Sequence, residues 1–135
     1  MRGADCGARW TISALPAFWV GLLYDQTALD GAWQIVKDWT EEERQALRDG
    51  VPRTALKTPF RNRTALAIAR DVLALSREGL RRRARFNDEG ADESIYLEPL
   101  DEIAASGRTQ AERMLRDYDG DWHGEIDEVF RRHAY

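Results

Sequence analysis

Cysteine is nearly absent. Cys6 is the single one in 135 residues, so no disulfide can close within the chain and nothing in it calls for an oxidising compartment. A cytoplasmic location is the resulting expectation. Long apolar runs are missing as well: the apolar run Ala14 to Tyr24, which carries no charge, is eleven residues, against the ~20 that a bilayer-spanning helix needs. No membrane partner is expected. Arg2 and Arg9 precede this run as they would in a secretory leader, but Asp5 lies among them and Asp25-Gln26-Thr27 offers no small-residue cleavage site. His123 and His133 are ten apart with no cysteine near either, which lacks the spacing of a zinc site. There is no Gly-rich phosphate loop, no Ser-His-Asp set and no HExxH string, so the chain carries no self-contained catalytic kit.

Charge, by contrast, is abundant and unevenly placed. One residue in three is charged, 33%, while 43% are hydrophobic. That balance suits thin helices with wide solvated faces, or a piece whose partner surface lies elsewhere. Residues 1–50 sum to -3, residues 51–86 to +8 and residues 87–135 to -9. A basic middle between acidic flanks implies blocks that face one another or are separately solvated. Its alternative, contact with a polyphosphate or nucleic acid, lacks the stacking aromatics or recognised module that such binding uses. No nucleic-acid partner is expected.

Against this background the run ALPAFWVGLLYD, Ala14 to Asp25, reads as buried core around which the rest is organised. Met1 to Thr11 is rich in Gly and small residues, without periodicity, and residues 1–13 are expected to be an irregular lead-in. Thr27 is a plausible N-cap for a helix from Ala28 to Trp39. Thr40, with Glu43 three residues on, has the form of a capping box, and the helix it opens is expected to stop at Gly50 and Pro52. Val51 to Asn62, holding Pro52 and Pro59, reads as an irregular connector whose Phe60 plugs the core. Thr64 to about Phe86 is the strongest helix, with Leu66, Ala69, Val72, Leu73, Ser76 and Leu80 on one stripe and Arg81, Arg82, Arg83 and Arg85 at the end that favours cations.

Asn87 to Tyr96 is an acidic loop, expected to be the least ordered part of the body. Short helices follow over Leu97 to Ser106, Gln110 to Asp117 with Thr109 as cap, and Ile126 to Phe130. No repeat and no strand longer than a few residues is evident, so the expected fold class is mainly α in a single helical region over 1–135. Asp117, Asp119, Asp121 and Glu128 imitate the first, third, fifth and twelfth ligands of a calcium loop. The sixth place, normally Gly, is Trp122, and an acidic turn between helices is the simpler account. No metal site is assigned. The five tryptophans, Trp10, Trp19, Trp33, Trp39 and Trp122, are expected to supply core and interface area.

Several strings carry a resemblance. Leu15 to Asp25 (LPAFWVGLLYD), Val51 to Arg61 (VPRTALKTPFR), Leu97 to Ile103 (LEPLDEI), Ser106 to Leu115 (SGRTQAERML) and the closing Tyr118, Gly120, Trp122, Val129, Phe130 and Tyr135 resemble, in order, glutamate–cysteine ligases of the plant and proteobacterial type. The likeness covers essentially the whole chain, but only the last third or so of the family's enzyme. It implies the helical C-terminal portion of an α+β ligase whose antiparallel active-site sheet lies upstream. The implied chemistry is the ATP-dependent joining of the glutamate γ-carboxyl to the amine of cysteine, with Mg2+ neutralising phosphate.

By the same resemblance Arg2 matches an arginine in the pocket where ATP and glutamate meet, a role that suits a guanidinium. Asp5 follows on the same loop, while a metal-holding glutamate of the family would lie just before Met1. Lys57 and Arg61 fall in the matching LKTPFR string as substrate-binding candidates; solvated cations on a connector are the alternative. The implied partners are glutamate, cysteine and ATP in the full enzyme, together with the ligase's N-terminal part. ATP and Mg2+ belong to that whole, and neither is expected to bind this chain alone. A free-standing helical interaction module is the other function considered, and calcium-dependent regulation through the Asp117 turn a third.

Overall fold

The computed structural model describes residues 9–133. It contains seven α-helices among the described residues: α1 (Arg9–Leu23), α2 (Gln26–Val36), α3 (Glu41–Thr54), α4 (Ala65–Arg83), α5 (Glu98–Ser106), α6 (Gln110–Asp119) and α7 (Asp127–His133). Two-residue strands β1 (Pro59–Phe60) and β2 (Arg63–Thr64) pair antiparallel, Pro59 with Thr64 and Phe60 with Arg63. Short 3-10 turns cover Ala55–Lys57 and Glu93–Leu97. The mainly helical expectation holds.

Helices α1 and α4 form the centre. α1 has no charge between Ala14 and Leu23, and its Ala14, Ala17 and Leu22 are buried. α4 turns Leu73, Ser76, Gly79 and Leu80 toward it. The two backbones meet through residues with little or no side chain. A Cβ added at Gly79 would overlap the carbonyl oxygen of Gly21, and one at Gly21 would overlap the carbonyl of Ser76. The Ser76 hydroxyl, fully buried, donates to the carbonyl of Phe18 at 2.8 Å, so the one polar side chain in the crossing is satisfied. α2 packs beside both helices. α5 and the turn before it close the other side, with Leu97 and Leu80 completely buried.

Local caps explain most helix limits. Thr40 and Glu43 form the expected capping box at α3 and Thr109 and Glu112 another at α6. Thr64 accepts from the Ala67 amide to open α4, and Gly107 ends α5 in the left-handed conformation at φ 64. Other limits differ from expectation. Helix α1 already begins at Arg9, so the lead-in is not irregular over its last residues; what precedes Arg9 lies outside the described residues. The cap of α2 is Asp25, not Thr27: its carboxylate accepts from the Ala28 amide at 2.8 Å, two residues earlier than the pattern of apolar residues implied.

Gly50 and Pro52 do not stop α3, which runs on to Thr54. Gly50 is used there for closeness, since a Cβ on it would press within 2.6 Å of the Thr58 methyl. Phe60 is buried, as expected. α4 stops at Arg83, short of Phe86, because Ala84 turns left-handed at φ 49. Phe86 then bridges Asp92, and the Asn87 side-chain oxygen accepts from the amides of Glu89 and Ala91. The acidic loop is therefore a tied turn.

The basic middle faces both acidic flanks. Arg82 forks onto Asp25, and Arg61 onto Glu43, on the N-terminal side; Arg77 pairs with Asp101, Arg83 with Glu93 and Lys57 with Glu112 on the C-terminal side. Mutual neutralisation was the simpler of the two expectations for this charge layout. At the acidic turn, Asp117 accepts from Arg116, and Glu128 from Arg131 and Arg132, so two of the calcium-like carboxylates are engaged by arginines.

The close crossing generates a test. Gly79→Ala adds a methyl where a backbone oxygen already lies. The ~1 kcal/mol gain in helix propensity should be outweighed by overpacking, for a net loss of roughly 1–3 kcal/mol. Urea unfolding followed by circular dichroism measures it; unchanged stability would mean that the helices do not meet this closely.

Candidate functional site

Arg2 and Asp5 lie outside the described residues. Lys57 and Arg61 are described, and they have separate partners. Lys57 follows α3 on the 3-10 turn, its side chain 74% exposed and its ammonium 3.6 Å from Glu112 of α6. It lines an open cleft of about 550 Å³ with Arg53, Thr54, Thr109 and Leu115.

Arg61 sits at the tip of the β1–β2 hairpin with φ 52, in the left-handed region. Its Nε and Nη2 donate to the two oxygens of Glu43, each at 2.7 Å, and Nη2 also donates to the Asp38 carbonyl at 2.8 Å. The guanidinium lies 5.6 Å from the Phe60 ring centre, and Phe60 in turn packs on Trp39 at 4.5 Å between ring centres. Two-point pairing of this kind fixes the direction of both groups as well as joining their charges. Glu43 thereby serves twice, because Oε2 also accepts from the Thr40 amide at 3.0 Å in the capping box. The Arg61 hydrogen bonds first, and then the Thr40 amide, hold the Glu43 carboxyl down to about 2. Arg61 is pushed up by the same pair.

Among the described residues, the calcium-like turn included, no group of three or more His, Cys, Asp or Glu side chains is placed to hold a metal. Lys57 and Arg61 meet different carboxylates and do not converge on one pocket.

A second concavity is apolar. Leu15, Phe18 and Trp19 of α1, Leu73 of α4, and Leu100 and Ile103 of α5 line a groove of about 310 Å³. It continues along one side of α1, where Ile12, Leu15, Trp19 and Leu23 are 55%, 40%, 38% and 51% exposed. The expectation that Ala14 to Asp25 is core holds for one face of α1 only. The sequence reading of this run as core gave no sign of the groove, whose far wall comes from α4 and α5. Trp33 is also exposed, whereas Trp122 is buried and Trp39 half-buried. No described helix is long and apolar enough to cross a membrane.

The family model for glutamate-cysteine ligase family 2 matches residues 1–132. The chain belongs to that family. It is 45% identical, over all 135 residues, to the glutamate–cysteine ligase, chloroplastic, of Arabidopsis thaliana, covering 25% of that protein. Identity is 44% to the chloroplastic enzyme of Nicotiana tabacum, with 25% covered, and 45% to glutamate–cysteine ligase A, chloroplastic, of Oryza sativa subsp. indica, with 26% covered. The chain spans about a quarter of the length of the curated relatives it matches, less than the third that the resemblance implied.

The Glu43 corner gives a signed pH dependence. Its folded-state pKa of about 2 lies below the ordinary 4.5, so its contribution to stability is complete above pH 4.5 and is lost as the pH falls toward 2. Glu43→Gln should melt a few degrees below the parent at pH 7, and the gap should close between pH 4.5 and 2. Thermal melts across that range check it; a gap independent of pH would show that the charge of Glu43 is not what matters.

Proposed function

We propose that this chain is the helical C-terminal portion of an ATP-dependent ligase that joins the γ-carboxyl of L-glutamate to the amine of L-cysteine, the first step of glutathione synthesis, and that alone it is inactive. The observation that carries this is identity of about 45% sustained across every residue of the chain, with a quarter of each relative covered. The antiparallel active-site sheet belongs, in this proposal, to the remaining part of the ligase, which is the chain's necessary partner. Such a ligase activates the glutamate carboxyl with ATP, and Mg2+ offsets the phosphate charge.

The contribution proposed for this chain is limited and specific. Arg2 is assigned to the phosphoryl and substrate contact, since a permanently charged fork suits charge developing on phosphate oxygens, and Asp5 to the same loop. Lys57 and Arg61 are the described candidates for substrate contact. Lys57 has the greater reach, being mostly exposed, whereas Arg61 would bring Glu43 with it. One cysteine favours a reducing compartment, for which we propose the cytoplasm; the relatives named above are chloroplastic enzymes.

The test uses the isolated chain and a full-length chimera in which it replaces the matching quarter of the Arabidopsis enzyme. The isolated chain should show no glutamate- and cysteine-dependent ADP release and no millimolar binding of ATP or glutamate by calorimetry. The chimera should be active, and Arg2→Ala within it should lower kcat/KM by on the order of 100-fold. Turnover by the isolated chain, or a folded but inactive chimera, would count against the proposal.

A further inference from the structure

Helix α1 is apolar on nearly all sides. Its packed face carries Ala14, Ala17, Gly21 and Leu22, and its opposite face repeats Ile12, Leu15, Trp19 and Leu23 at spacings of three, four and four. A surface helix presents charged or polar residues to water, and one that is hydrophobic all round is a buried helix of a larger body. Here the second face has no cover within the described residues. It opens into the groove between α1, α4 and α5, whose lining has no charged side chain. A continuous apolar surface of this kind marks an interaction site.

We infer that the Ile12–Leu15–Trp19–Leu23 stripe and the adjoining groove are the seat of an uncharged, aliphatic or aromatic segment from the other three quarters of the ligase. This rests on the family reading of the preceding subsection. Three features select that occupant. The relatives possess about three times as much chain again as is matched here, and that remainder must meet this quarter somewhere. The seat offers no charge to complement, which disfavours an acidic or basic peptide. Small-molecule pockets place a few convergent polar groups among their apolar walls, and of the nine residues that line this groove only Trp19 carries a polar side-chain atom, its indole N–H.

A lipid surface fits less well. Interfacial helices pair their apolar face with a basic one, whereas α1 has no lysine or arginine from Trp10 to Leu23. At fifteen residues it is also shorter than the ~20 residues needed to span a bilayer.

Accessibility labelling tests the inference directly. In a Cys6→Ser background, Leu15→Cys and Leu23→Cys are made separately, both in the isolated chain and in the full-length chimera, and their reaction with a maleimide is timed. Both positions are exposed, so each isolated variant should keep its helical circular dichroism; having two guards against one failing to fold. The expected result is rapid labelling in the isolated chain and labelling at least about tenfold slower in the chimera, as for a site reached only by opening. Equal rates in both, within about twofold, would overturn the inference and leave the stripe a free surface. Slow labelling of the isolated chain that quickens on dilution would overturn it in favour of a second copy. Activity of the unsubstituted chimera is scored separately: an active chimera with unprotected thiols rejects the docking surface alone, whereas an inactive one counts against the ligase reading.

Discussion

The constraint on which the structure depends is the approach of α1 to α4 with almost no side chain between them. Glycine at positions 21 and 79 lets one backbone lie against the other, and the Ser76 hydroxyl bonds the Phe18 carbonyl across the contact. Glycine is a poor helix former, costing about 1 kcal/mol relative to alanine, and here each of the two occupies a helix interior. The loss is offset by packing: bringing the axes together lets Leu80 and Leu97 be enclosed completely and lets α2 and α5 flank the pair. A bulkier pair would hold the helices apart and thin a core that is already small.

Around this crossing the charged residues act as ties. The arginines of α4 leave it in several directions: Arg82 to the cap of α2 at Asp25, Arg83 to the turn before α5, Arg77 to Asp101 on α5, and Arg70 to the Ala104 carbonyl at the end of α5. Exposed pairs contribute little one at a time. Asp25 is better placed, since its carboxylate both caps α2 and receives the Arg82 fork, and the Arg82 bonds hold its pKa down. The same logic recurs at Glu43. In each case a carboxylate that begins a helix also receives an arginine from a distant part of the chain, so helix starts and tertiary contacts are joined through single residues.

That coupling also explains which parts of the molecule could be read in advance. Thr40 with Glu43, Thr109 with Glu112, Thr64 and Gly107 act within a few residues, and their sequence signatures are sufficient. Asp25 was passed over for Thr27 because part of what holds it is Arg82, fifty-seven positions away. Gly50 and Pro52 looked like a helix stop because nothing local reveals that Thr58 folds back against Gly50. Of the candidate site, Arg61 was identified as a cation in a family-like string, but its attachment to Glu43 and Asp38 depends on a hairpin tip with positive φ that composition does not announce. The apolar groove was not visible in the sequence, since its walls are brought together from residues remote in the chain.

The Ser76–Phe18 bond joins positions fifty-eight apart, and α2, α3 and the hairpin all lie inside the loop it closes. Pairing of α1 with α4 must therefore await a long-range encounter. The entropy of closure rises only slowly with loop length, but such contacts raise the contact order, which slows folding relative to bundles built from neighbouring helices. The capped helices α2 and α3, lying within the loop, can form transiently and shorten the effective search. A mainly helical body thus holds at its centre a contact between its first and fourth helices that nearest-neighbour pairing along the chain cannot supply.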